Sequence, residues 1–215
     1  MHKAVELIRR EHRDIALVVQ CLATVLREVR ERKLVADPAL FEAIIDYMQN
    51  FPDRFHHPKE EDYLFKTLRQ RAPASAAVLD ELGAQHQAGE RSIADLRWKL
   101  DALKKDPEKG FAAFDKAASA YVDFQKRHMA LEEREVLPTA ERSFTQADWD
   151  AIAAAFADND DPIFGHDPQA YYDRLFSRIV ALTPEPYGLG ERKTPPVKVT
   201  EPLTPRRAAL DLHWI

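Results

Sequence analysis

With 215 residues, the chain can hold one well-buried domain plus extensions. Charged residues make up 31% and there are only 6 glycines, the profile of a soluble helical protein; a formal net charge of −5 argues against a general nucleic-acid binder, which needs a basic footprint. The single cysteine, Cys21, excludes an internal disulfide and a cysteine-ligated zinc site. It falls among Val19, Leu22 and Leu26, where a buried core thiol is expected. No apolar run is long enough to cross a bilayer. Glu6, Arg9, Arg10, Glu11 and Arg13 break up the N-terminus too often for a signal peptide, so the expected location is cytoplasmic.

From residue 3 to about residue 32, Val5, Ile8, Ile15, Val19, Leu22, Leu26 and Val29 form one helical face, with His12 in the middle of it. Asp37-Pro38 then starts a second helix, Asp as N-cap and Pro as first helical residue. It carries Phe41, Ile44, Ile45, Met48, Phe55, Leu64, Phe65 and Leu68 to about Arg71, and Pro52 and Pro58 predict a kink or a break within it. After the turn at Ala72-Pro73-Ala74-Ser75, a third helix aligns Leu79, Leu82, His86, Ile93, Leu96, Leu100 and Leu103. A fourth starts near Asp106-Pro107 and runs to about Glu141, with Phe114, Ala118, Tyr121, Gln125, His128 and Glu132 on one stripe.

Four long amphipathic segments with short connections predict an all-α, antiparallel up-down-up-down four-helix bundle over residues 1–143. Residues 144–182 read as accessory helices, one opened by the capping-box pattern Thr145-Gln146-Ala147-Asp148 and one by Asp167-Pro168. Residues 183–215 read as a Pro-rich extended tail. Whether these extensions cover the bundle or pair two copies into a homodimer stays open.

A carboxylate on a dry stripe is expensive unless it is paired or bound to a metal. Glu132 is such a residue, one turn after His128. The second helix repeats the pattern: His56-His57-Pro58-Lys59-Glu60-Glu61, then Leu64 and Phe65, matches His128-Met129-Ala130-Leu131-Glu132-Glu133, then Val136 and Leu137. The match favours the pair His56 and Glu60 over His57 and Glu61, which also have i, i+4 spacing. His12 and His86 lie about ten residues after their helix starts, and Glu60 and Glu132 about ten before their helix ends, so an antiparallel bundle sets all four ~15 Å from one end. Four histidines and two glutamates at one level predict a metal site. Imidazole and carboxylate without thiolate suit iron, manganese or zinc. Two glutamates able to bridge suggest a pair of ions, a known use of bundle cores. Iron fits best, because a mixed His/Glu set supports both oxidation states.

These residues resemble the hemerythrin-like family, the HHE cation-binding domain. The resemblance covers roughly residues 4–141 and rests on Glu11-His12, the His56–Glu61 motif, His86 and the His128–Glu133 motif. It implies two non-haem iron ions in the bundle, with His12, His56, His86 and His128 as terminal ligands. Glu60 and Glu132 would bridge the irons, together with an oxo or hydroxo group. Oxygen-carrying members have His-x-x-x-His in the third helix and a His followed by Asp five residues later in the fourth. Here His86 is followed by Glu90, and His128 by Glu132. More anionic donors stabilise the ferric state and disfavour reversible oxygen carriage. The pattern is closer to members that sense iron or oxygen, or act in iron-sulfur repair and nitric-oxide responses.

Glu90, one turn after His86, reads as a seventh ligand or an acid/base group beside an open position. Tyr121, two turns before His128, either donates a hydrogen bond to a bound oxygen species or simply packs. Ligand histidines need a partner for the second ring nitrogen, and the sequence does not identify it. Glu61 and Glu133 point about 100° away from the metal-facing glutamates, to ligand partners or to solvent. His2, His166 and His213 have no ligand-like context. The expected function is a di-iron protein that binds or senses O2, NO or iron in a redox or stress context. The alternative is enzyme-like peroxide or nitric-oxide chemistry or iron-sulfur cluster repair, and no catalytic group beyond the ligands favours it.

Overall fold

A computed structural model of the protein describes residues 2–157 and 168–195. The regular elements among them are all helical, as the apolar periodicity requires. The first rod is α1 (Lys3–Arg30). The second begins with α2 (Pro38–Asn50), where Asp37 accepts the Ala39 N–H at 2.9 Å and Pro38 takes the first helical position. It continues through a π segment (Pro52–His56), α3 (His57–Lys59), a second π segment (Glu60–Phe65) and α4 (Lys66–Arg71). The third rod is α5 (Ala76–Lys105). The fourth joins α6 (Pro107–Leu131), a π segment (Glu132–Val136) and α7 (Leu137–Ser143), with the Asp106 side chain capping its start.

The predicted break at Pro52 and Pro58 therefore does not occur: the second rod stays helical past both, with π segments beside them. Before Pro58 and Pro138 the preceding residue donates its N–H five residues back, His57 to Pro52 O and Leu137 to Glu132 O, whereas before Pro52 the Phe51 N–H keeps its α-helical bond to Tyr47 O. A proline ring crowds the carbonyl four residues earlier, and a π turn moves that carbonyl out of the way. Each such turn holds one residue more than an α turn and swings the following side chains by about 100°. Both glutamates of the sequence repeat, Glu60 and Glu132, open a π segment.

α1 packs against α2 and α6, and α5 against α2 and α6, so the four rods make a closed ring of neighbours, a helical bundle. Its apolar interior is in two parts. One joins Ile15, Leu22, Leu26, Phe41, Ile44, Met48, Leu96, Leu100 and Phe114. The other joins Ala4, Val5, Ile8, Leu64, Phe65, Leu79, Leu82, Val136 and Leu137. A layer of buried histidine and glutamate lies outside both clusters, at chain positions between them on every rod.

α8 (Gln146–Ala157) packs on α1 and adds Trp149, Ile152 and Phe156 to the second cluster. Its predicted capping box forms: Thr145 N–H donates to Asp148 Oδ2 at 2.8 Å, and Asp148 N–H to Thr145 Oγ1 at 3.3 Å. α9 (Pro168–Leu182) lies on α2 and adds Tyr172, Leu175 and Ile179 to the first cluster. Asp167, expected to open it, is outside the described residues.

Residues 183–190, directly after α9, fold into turns instead of extending. Leu189 N–H donates to Val180 O at 2.9 Å and Gly190 N–H to Thr183 O at 2.8 Å, closing a turn over the last carbonyls of α9. The approach needs glycine, since a Cβ at Gly190 would stand 2.6 Å from Leu182 O. The chain then returns to the α1–α2 loop, where Lys193 O accepts the Val35 N–H at 2.8 Å. Cys21, expected in the core, is only half-buried, with Sγ 3.1 Å from Thr183 Oγ1. The expected tail beyond 195 is outside the described residues. None of the described helices is long and apolar enough to cross a membrane.

Candidate metal centre

All four rods contribute to the polar layer: His12 from α1; His56, His57 and Glu60 from the second rod; His86 from α5; His128 and Glu132 from the fourth. Each is at most 6% exposed, and Glu60 is fully buried. Such a layer is tolerable only if its polar atoms have partners.

The outward ring nitrogens find them in protein. Nδ1 of His56 meets Glu11 Oε2 at 2.7 Å, Nδ1 of His86 meets Glu61 Oε1 at 2.9 Å, and Nδ1 of His12 meets Glu133 Oε1 at 3.2 Å. Nδ1 of His128 meets Gln85 Oε1 at 3.0 Å. The Gln85 amide is oriented by its own donation from Nε2 to Glu81 Oε1 at 2.9 Å. Carboxylate and amide oxygens only accept here, so each Nδ1 carries the proton and donates. In the neutral ring that leaves the lone pair on Nε2, facing the centre of the bundle.

The inward atoms form a different pattern. Glu60 Oε1 lies 3.4 Å from His56 Nε2 and 3.6 Å from His12 Nε2, while its Oε2 lies 3.6 Å from His86 Nε2. Glu132 Oε2 lies 3.4 Å from His12 Nε2, while its Oε1 lies 3.4 Å from His128 Nε2 and 3.6 Å from His86 Nε2. Each carboxylate thus turns one oxygen to the His12/His56 side and the other to the His86/His128 side. Nε2 of His12, His86 and His128 and both oxygens of Glu60 and Glu132 are buried with no hydrogen-bond partner among the described residues. The separations exceed a good hydrogen bond. They suit neighbouring donors on one ion held at about 2.1 Å, which stand roughly 3–3.5 Å apart.

Charge tells the same story. Burial pushes the His12, His56 and His86 imidazoliums down, but the surrounding glutamates outweigh it and raise them to about 10, about 9 and about 10. Burial pushes Glu60 up, and the cationic His56 and His12 overcome this to hold it well below the usual carboxylate range. His128 is lowered, by burial and by repulsion from His86, against the pull of Glu132. Without metal, protons on three histidines therefore balance the buried carboxylates, which is where a metal cation would act.

Three groups of donors lie close enough to hold an ion: His12, His56 and Glu60; Glu60, His86 and Glu132; and His57, His86 and His128. The sequence model of the hemerythrin HHE cation-binding domain matches residues 3–140. The chain belongs to that family. No curated protein and no solved structure matches it significantly.

As a hemerythrin-like chain it has six expected donors together: His12, His56, Glu60, His86, His128 and Glu132. Glu90 is not with them. Its side chain is exposed at the rim of a surface cavity, since α5 continues as a regular helix and buries Gly89 instead. His57 is the residue that the repeat left out. It is buried beside His56, stacked on the His86 ring at 4.1 Å and edge-on to His128 at 5.3 Å. An ideal α-helix would turn neighbouring side chains about 100° apart; the π turns on either side bring both inward. The motif's doubled histidine was the available signal. Glu61 and Glu133 are the ring partners that the sequence could not assign, joined by Glu11 and Gln85. Tyr121 is buried, and its hydroxyl accepts from Gln125 Nε2 at 2.8 Å. His2 stacks on Trp149, whereas His166 and His213 lie outside the described residues.

Proposed function

We propose that this hemerythrin-like chain holds two iron ions side by side in an antiparallel up-down-up-down bundle with α8 and α9 as accessory cover, and that it binds or senses O2, NO or iron in a redox or stress context in the cytoplasm. The observation that carries the reading is the split presentation of Glu60 and Glu132, each offering one oxygen to the His12/His56 group and one to the His86/His128 group. A single structural ion would need only one such side. Iron is favoured over zinc or manganese because mixed imidazole and carboxylate donors support two oxidation states.

Four histidines would serve as terminal donors and two glutamates as bridges. Their Nδ1 partners fix the tautomer, so that Nε2 is the atom presented, and raise its basicity. An iron pair held by these residues would supply redox chemistry toward a small molecule. The aromatic walls limit what arrives: Phe65 and Phe124 stack on His86 and His128, and Phe51 on His56. The small molecule proposed for the centre is a diatomic ligand or peroxide. Anaerobic loading with ferrous iron tests the reading. Two irons per chain are expected, with new optical bands on adding O2 or NO. Fewer than one per chain, or loading unchanged in the double variant His56→Ala with His128→Ala, would overturn it. A stable spectrum after O2 supports binding or sensing; rapid turnover of peroxide would support an enzyme instead.

A further inference from the structure

A cavity of about 290 Å³ opens beside the centre, lined by Asp53, His57, Glu61, Gly83, His86 and Glu90 among others. Two larger grooves, of about 400 and 410 Å³, are lined by no member of the histidine–glutamate layer. This one reaches it directly, through His86 and His57. Its outer rim carries Glu90, exposed, and Glu61, whose Oε1 accepts from His86 Nδ1. At its inner end stands Asp53, 8% exposed, with neither carboxylate oxygen hydrogen-bonded among the described residues. Nδ1 of His57, 5% exposed, is likewise without a partner. The two atoms face each other, His57 Nδ1 to Asp53 Oδ1, at 3.7 Å.

A buried carboxylate beside a buried imidazole normally closes a hydrogen bond. Here the gap is too wide for one and close to the spacing of two donors sharing an ion. Nothing in the di-iron reading uses Asp53. We propose that Asp53 and His57 form a staging site for a divalent cation, through which metal passes from the surface to the buried centre. A hydrated ion cannot cross the apolar wall of the bundle without replacing its waters. Glu90 and Glu61 draw the cation to the mouth, since a cleft lined by one sign of charge concentrates the opposite ion. Asp53 and His57 then replace waters, and the ring of His57, 4.1 Å from that of His86, hands the ion to the first donor of the centre. The proposal rests on the di-iron reading.

Anaerobic stopped-flow uptake of ferrous iron, with final stoichiometry measured by elemental analysis, separates the two. Asp53→Asn is expected to load at least tenfold more slowly than wild type and still reach two ions per chain. Glu90→Gln, on the surface, is expected to slow loading two- to threefold, an effect that added salt abolishes. If Asp53→Asn loads within twofold of the wild-type rate, the staging site is wrong and the centre stands. A final stoichiometry below two in folded Asp53→Asn, with folding checked by circular dichroism, also overturns it by making Asp53 a permanent ligand. A wild-type chain that takes up no iron overturns the di-iron reading itself.

Discussion

Glu11 accepts the Nδ1 proton of His56 at 2.7 Å, so the residue just before one expected ligand orients another, 45 positions away. The carboxylate holds the imidazole with Nε2 turned inward. Replacing Glu11 by Ala is expected to lower metal affinity about 10- to 100-fold, the usual effect of losing a ligand's outer partner. Glu11→Gln, which still accepts, should lose less. Competition against a chelator of known affinity reads the difference, and equal affinities for all three chains would refute the role.

The two-ion reading makes the glutamates unlike the histidines. Glu132→Ala removes a donor from both sides of the centre and is expected to bring bound iron from two per chain to near none. His128→Ala removes one donor from one side and should leave about one. Metal analysis after desalting decides between them. Equal losses would argue that the carboxylates do not span two ions.

Proton occupancy predicts an opposite pH response for the empty and the loaded protein. His12 and His86 titrate at about 10 and His56 at about 9 when folded, against 6.5 unfolded. Their contribution to stability is therefore complete below pH 6.5 and is lost as pH rises through 9 to 10. Metal-free protein should melt at progressively lower temperature between pH 7 and 10. Iron binding must displace those protons, so apparent affinity should rise over the same range. Calorimetry with and without metal checks both signs, and a flat profile for the metal-free protein would contradict the charge balance described above.

Burial, with repulsion from Glu90, raises the Asp53 carboxyl to about 7. A carboxyl raised above its unfolded value destabilises the fold when ionised: the penalty begins above pH 3.8 and is full above pH 7. Asp53→Asn should therefore melt higher than wild type at pH 8, by about 2–4 °C for each kcal/mol recovered. At pH 3.5 the two should coincide. The same gain at both pH values would show that charge is not the cause.

Phe65 links the core to the site, 1% exposed and stacked at 5.8 Å on the ring of His86. Phe65→Ala should destabilise the metal-free protein by about 3–5 kcal/mol, the range for an aromatic removed from a packed core. Urea unfolding measures it. A loss under 1 kcal/mol would mean that the second apolar cluster closes over the gap.

Local chemistry was enough to read the rods and to pick out six polar side chains that the fold brings together. Apolar residues three and four apart, Asp-Pro starts, and a histidine four residues before a glutamate all act within one or two turns of helix, and the structure places those side chains where the period puts them. Three features needed the folded chain. His57 lies between two π segments, the first running up to Pro58, and an α-helical period does not foresee the inward turn of its side chain. The partners of the ring nitrogens come from other rods, up to 121 positions distant for His12 and Glu133, and no helical period reports on them. Glu90 matched the period and still missed the centre, because which flank of a helix stripe faces inward is set by its neighbours' packing. The helices and the candidate donor types were legible in the chain; which ring atom of each histidine faces the middle of the polar layer, and which groups line the cavity beside it, depended on how four rods meet.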